Sequence, residues 1–217
     1  MKLNPANSRR GITKIEVLVV IGVLVILGAI LLPPLIETLP NHPMRINCPN
    51  NLKQIGLAFQ TWAVDNDGKY PMQVSVTNGG TMELIASGNA FVHFQIMSNE
   101  LTTTKILVCP NDGARIRADS WENLNNQNVS YFVGVDATHD SSTNILAGDR
   151  NLSLNDAPVN PGLVSFTPGS VAGWTEKIHN NQGNLLLSDG SVQQYGIPRL
   201  REAMKHTGLA TNRLAIP

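Results

Sequence analysis

His139, Asp149, His179 and Asp189 are the side chains of this chain whose types suit an acid–base pair or a bound divalent metal. An imidazole titrates near neutrality and offers a nitrogen ligand, and a carboxylate supplies a base or an oxygen ligand. Their sequence settings argue for simpler roles. The chain has no H-E-x-x-H pair, no G-x-S-x-G elbow and no phosphate-cradling glycine loop. Asp189-Gly190 sits at the centre of "GNLLLSDGSVQQY", where a hairpin turn accounts for both residues. His179 precedes the polar "NNQG" loop and reads as a structural or surface histidine. Asp149 and Arg150 end the strand-like "ILAGDR", close enough in sequence to pair with each other. Asp65 and Asp67 in "DNDGK" alternate before a glycine as in a calcium loop, but the later acidic ligands are missing, so a helix cap is the expected role. The expectation is a chain with no catalytic residue, no metal and no cofactor.

Cys48 and Cys109 carry the remaining side-chain chemistry. In an oxidising compartment an even cysteine count suggests a disulfide, and closing about 60 residues would stabilise the fold by a few kcal/mol through the unfolded state. Spacing does not establish proximity, and two buried thiols are an ordinary alternative. Both readings stand at this point.

The elements that must position these residues are legible in outline. Leu52, Ile55, Phe59 and Trp62 recur at helical spacing, and Gly68 and Pro71 end that helix. Phe91, Phe94, Met97 and Leu101 suggest a second helix, followed by a strand at "KILVCP". "NVSYFVGV" and "TNILAGDR" read as strands, "GNLLLSDGSVQQY" as a hairpin, and Pro198 starts a terminal amphipathic helix that stops near Gly208. Pro33, Pro34, Pro40 and Pro43 predict a bend or a non-helical linker before the first of these.

Ahead of them lies an apolar run. Val17 to Ile36 is 20 residues without a charge, which as a helix rises about 30 Å and matches a bilayer core. Lys2, Arg9 and Arg10 precede it and orient the N-terminus to the cytoplasm. The run is too long for a secretory h-region and ends in "LLPPLIETLP", without a small-x-small cleavage site. Glu16 is the odd residue, because a carboxylate near hydrocarbon costs about 2.5 kcal/mol or more unless it is paired or reaches the interface. On local grounds it either snorkels beside Lys14 or awaits another partner.

The whole N-terminal phrase, a basic leader, Gly11, "ITKIE" and then the apolar run, resembles the class III signal of type IV prepilins and type II secretion pseudopilins. The resemblance implies cleavage by a prepilin peptidase between Gly11 and Ile12, N-methylation of Ile12, and an assembly role for Glu16 as partner of the new amine. Ile12 and Lys14 depart from the family's commoner residues. Cleavage would also remove three basic residues and leave the mature chain weakly acidic. "CPNNLKQIGLAFQTWAVDNDGKYP", "ILVCPND", "SYFVGV", "ILAGDRN" and "HNNQGNLLLSDGSV" resemble a pseudopilin-like group with a C-terminal H-x9-D-G signature, here His179, Asp189 and Gly190.

The resulting expectation is an α+β, pilin-like protein. A cytoplasmic leader (1–11) precedes a long hydrophobic transmembrane and assembly helix (12–36) and an exported globular domain (37–217) with an antiparallel sheet. It is expected in the inner membrane as a single-pass protein with its N-terminus cytoplasmic and its domain periplasmic. The resemblance implies a type II secretion pseudopilin that is no enzyme, with prepilin peptidase, other subunits, a secretion platform with its ATPase, and the lipid bilayer as partners. A surface pilin for adhesion or DNA uptake is the nearest alternative, and a membrane-anchored binding protein or metal hydrolase a more distant one. With 16 basic and 16 acidic residues, no global field favours nucleic acid.

Overall fold

The computed structural model describes residues 13–37, 43–167 and 169–217, with side chains described over 13–29 and from 46 onward apart from 168. The chain divides into two units, Met1–His42 and Pro43–Pro217. The first contains α1 (Lys14–Glu37). Gly11 and Ile12, where the peptidase cut was expected, lie outside the described residues, as does the basic leader.

Two expectations about this unit are corrected. Among the described residues no helix is long and apolar enough to cross a membrane. Lys14 and Glu16 occupy the first turn of α1. The transmembrane helix over 12–36, and with it the single-pass, inner-membrane placement, is therefore not supported. Of the prolines expected to give a bend or a non-helical linker, Pro33 and Pro34 lie inside α1, so no non-helical linker starts before Glu37. A proline costs a helix its own N–H bond and crowds the preceding turn, yet its ring holds a helix-compatible φ. Positions 38–42, which include Pro40, lie outside the described residues, and Pro43 opens α2.

The second unit is α+β with antiparallel sheets. Its helix α2 (Pro43–Val64) buries the expected stripe of Leu52, Ile55, Phe59 and Trp62. Gly68 takes the left-handed conformation that ends the segment, at φ +71°. The chain then crosses a long stretch of short turns and two small helices, α3 (Ala90–Gln95) and α4 (Ser98–Leu101). The strand expected at "KILVCP" is instead a 3-10 turn, Thr104–Leu107. Thr103 Oγ1 accepts from Lys105 N–H, and Thr104 Oγ1 donates to the Ala118 carbonyl, so the threonines preceding the apolar run supply a local cap that competes with strand pairing.

Six strands form the main sheet: β1 (Tyr131–Gly134), β2 (Ile145–Asp149), β5 (Gly162–Phe166), β7 (Gln182–Leu187), β8 (Val192–Gly196) and β9 (Asn212–Ile216). Their order is β5-β9-β1-β2-β7-β8, every pair antiparallel. A smaller sheet joins β3 (Leu152–Leu154), β4 (Ala157–Pro158) and β6 (Ala172–Trp174) in the order β4-β3-β6. The amphipathic helix α5 (Ile197–His206) begins with Pro198 near its N-terminus, and Gly208 follows it at φ +74°.

Alternation along the strands divides the core in two. Tyr131, Val133, Leu186 and Ala215 join α2 in one cluster, whereas Phe132, Leu185, Leu214 and Ile216 face the opposite cluster, with Trp174 from the small sheet and Leu200 and Met204 from α5. The central strands are thus buried on both faces, which is why β1 and β2 show no polar alternation. A bulge between Ile145 and Ala147 shifts the β2 register and places both Leu146 and Ala147 on the α2 side. Gly56 lets α2 approach the sheet: a Cβ there would lie 2.7 Å from Leu186 Cδ1.

His93 of α3 is wholly buried, with Nδ1 2.8 Å from Thr81 Oγ1, and burial lowers its pKa from 6.5 to about 4. The fold therefore holds the neutral ring while the unfolded chain protonates at its ordinary value. This contribution is complete above about pH 6.5 and is lost as pH falls towards 4, a change of roughly 3 kcal/mol. Urea unfolding at several pH values should show wild-type stability falling across that window, with the slope markedly reduced in His93→Gln. Equal slopes in the two proteins would refute the assignment.

Candidate buried Cys–His–Asp cluster

Four elements converge on one buried cluster. Cys48 lies in the first turns of α2, and Cys109 follows the 3-10 turn that replaced the expected strand. The two form a disulfide with Cα atoms 5.1 Å apart, so the first of the two cysteine readings is the one the structure adopts. His179 lies beside it, with Nε2 3.5 Å from Cys109 Sγ and 3.3 Å from Asp149 Oδ2. Asp149 ends β2, and its Oδ2 also accepts from Asn184 N–H at 2.6 Å and Asn184 Nδ2 at 2.7 Å. Cys48, Cys109 and Asp149 have no solvent exposure, and His179 has almost none.

Burial pushes the Asp149 carboxyl up to about 7, against the two Asn184 bonds, which favour the ionised form. Its other oxygen, Oδ1, is buried without a hydrogen-bond partner. Tyr131, directly across the ladder from Asp149, has its phenol pushed up by burial and by that neighbouring carboxylate, and its OH accepts from Asn51 Nδ2 of α2. The same Asn51 amide donates to the Val108 carbonyl, next to Cys109.

The residues flanking Asp149 explain how the cluster is held. Arg150 donates from Nε and Nη2 to both oxygens of Asp112, each at 2.7 Å. Asp112 N–H in turn donates to the Cys109 carbonyl, so this pair fixes the loop that carries Cys109. Asn151 Nδ2 donates to the Thr175 and Gln182 carbonyls, clasping both ends of the loop that carries His179. Within that loop Asn180 and Asn181 take left-handed φ values of +54° and +58°. The expected Asp149–Arg150 pair is therefore corrected: strand pleating turns the adjacent side chains to opposite faces, and each finds another partner.

The H-x9-D-G signature divides between two places. His179 joins the buried cluster, while exposed Asp189 accepts from Ser191 N–H at the β7–β8 turn. Gly190 has φ +82°, and a Cβ there would lie 2.6 Å from Gln60 Nε2 of α2, so both the turn and the helix approach favour glycine. Tyr70 OH donates to the Ser188 carbonyl just before that turn. His139 is exposed and meets the edge of the Tyr70 ring, with centroids 5.9 Å apart. Asn184, Asn151 and Asp112 did not stand out in the sequence; the phrase "ILAGDRN" contained the first signal, in three consecutive hydrogen-bonding side chains after an apolar strand.

In the first unit Glu16 has a definite local role. Its Oε2 accepts from Thr13 N–H at 2.7 Å and from Thr13 Oγ1 at 3.0 Å, while Glu16 N–H donates to Thr13 Oγ1 at 3.3 Å. This is a capping box, readable in hindsight from Thr13-x-x-Glu16, in which the carboxylate bonds Thr13.

Comparison with family models, curated proteins and solved structures finds no match to this chain.

Because the disulfide joins cysteines 61 residues apart, replacing both by serine should lower the unfolding free energy by roughly 4 kcal/mol. Guanidinium unfolding of the Cys48→Ser/Cys109→Ser protein against oxidised wild type measures this. A loss below about 1 kcal/mol would refute the loop-closure contribution of the bridge.

Proposed function

We propose that the chain is a subunit of a pilin-like filament, of the type II secretion pseudopilin kind, cut by a prepilin peptidase between Gly11 and Ile12 and assembled through α1. The observation that carries this reading is the surface of α1. Ile15, Leu18, Val19, Leu24, Val25 and Ile26 are each at least 60% exposed, a density of apolar surface that association would cover. Copies of the same helix packed side by side would bury it. Glu16, exposed in the first turn, is then the carboxylate nearest in sequence to the amine that cleavage would create.

The second unit supports a subunit role over a catalytic one. Its cluster of titratable groups is buried, with Asp149 wholly covered and His179 almost so. The signature residues act on packing and turn geometry, as a head domain displayed on a filament requires. Other subunits, an assembly platform and its ATPase are the partners this proposal implies.

Intact mass and N-terminal sequencing of the chain co-produced with a prepilin peptidase test the proposal. A product starting at Ile12 with one added methyl group is expected, and a chain still beginning at Met1 overturns it. Glu16→Gln then separates the two roles of the carboxylate, because glutamine keeps the capping box and removes the charge. Cleavage should be normal and filament yield strongly reduced. Normal assembly of Glu16→Gln beside failed assembly of Glu16→Ala would assign Glu16 to capping alone.

A further inference from the structure

The spacings around His179 are those of ligands on a tetrahedral metal. With Zn–S near 2.3 Å and Zn–N and Zn–O near 2.0–2.2 Å, tetrahedral angles separate a sulfur and a nitrogen ligand by about 3.6 Å and a nitrogen and an oxygen ligand by about 3.4 Å. His179 Nε2 lies 3.5 Å from Cys109 Sγ and 3.3 Å from Asp149 Oδ2. The ligand atoms of Cys48, Cys109 and His179 all fall within 4.8 Å of one another. The two sulfurs need to part to about 3.8 Å, which cleavage of their bond permits, and Asp149 Oδ2, beside His179 but outside that three-residue group, needs to move towards them.

The surroundings suit such an ion. Asn184 donates twice to Asp149 Oδ2 and fixes the carboxylate, as outer partners of metal ligands do. Asp149 Oδ1, buried without a partner, is an unused acceptor on the same group. Arg150–Asp112 and Asn151 hold the loops that carry Cys109 and His179 by bonds that do not involve the disulfide. The loops that carry the ligands are therefore tied by contacts separate from the bridge.

We propose that the dithiol form of this chain binds one Zn2+ through Cys48 Sγ, Cys109 Sγ, His179 Nε2 and an Asp149 carboxylate oxygen. On binding, two S–H bonds break, two Zn–S bonds form and two protons pass to solvent, with no change of oxidation state. The newly made chain carries the thiols, so no reductant is required. Zinc and the disulfide are mutually exclusive occupants of one site, and either closes the loop between α2 and residue 109. This holds whether or not the chain forms filaments.

The test uses the full chain reduced by a phosphine, which takes up a water oxygen while the disulfide gains two electrons and two protons. After the phosphine is removed under argon, Zn2+ alone is added and bound metal is counted by equilibrium dialysis and elemental analysis, with Co2+ in parallel. One Zn2+ per dithiol chain is expected, and none in the disulfide form at the same free metal. Co2+ should give intense tetrahedral bands with sulfur-to-metal charge transfer. His179→Gln and Asp149→Asn should each weaken binding by at least about 10-fold. Substoichiometric binding by the dithiol chain, equal binding by the disulfide form, or an unchanged affinity in His179→Gln overturns the proposal. Should His179→Gln fail to fold, the wild-type Co2+ spectrum decides alone: weak octahedral bands without charge transfer would refute the site.

Discussion

Three consecutive side chains at the end of β2, Asp149, Arg150 and Asn151, tie together parts of the second unit that are remote in sequence. Arg150 reaches the loop after residue 109, Asn151 clasps the loop from 175 to 182, and Asp149 meets His179 and Asn184 between them. Each contact is a hydrogen bond or ion pair shielded from water, where leaving one partner unmatched costs about 1–3 kcal/mol. The segment between α2 and β1 contributes no strand, so it depends on such side-chain bonds and on the disulfide for its course.

That dependence follows from the way the sheet is filled. With β1, β2 and β7 buried on both faces, the polar side chains these strands carry cannot turn to solvent and must be matched within the protein. Asn184 does this by donating to Asp149 from both its backbone and its amide. On the other side of the same strand, Gly56 lets α2 lie close against Leu186, and the Phe59 ring makes edge contacts with Tyr70 and Phe94. The helix, its aromatic neighbours and the polar corner thus share one set of strands, and a shift of register in β2 or β7 would misplace all three.

Period and punctuation made part of this legible beforehand. The stripe from Leu52 to Trp62, the strands around Phe132 and Ala147, the Asp189-Gly190 hairpin and the Pro198 helix each follow from local pattern, and each is present. The "KILVCP" segment was misread because its apolar residues are buried by a 3-10 turn, which period alone does not distinguish from a short strand. β9 went unseen because "NRLAI" is short and acquires its partners, β1 and β5, only through long-range pairing. The cluster was invisible for a related reason: His179, Asp149 and Cys109 are 30 to 70 residues apart, and nothing in their spacing brings them together. The N-terminal helix erred in the other direction. Counting uncharged residues suggested a membrane span, whereas the polar first turn is committed to a Thr13–Glu16 cap and no helix among the described residues is long and apolar enough to cross a membrane.

A buried carboxylate beside a histidine and a disulfide is an expensive arrangement, since well-packed apolar residues of similar volume commonly give equal or greater stability. What the polar corner supplies is discrimination among packings. An apolar replacement would accept many positions of the 109 and 179 loops, because dispersion contacts have little directionality. Arg150 and Asn151 accept one each, as forked and paired hydrogen bonds demand fixed partners. They therefore bring Cys109 beside Cys48 by bonds that exist independently of the sulfur–sulfur link. The end of β2 and the disulfide thus hold the same loop through separate bonds.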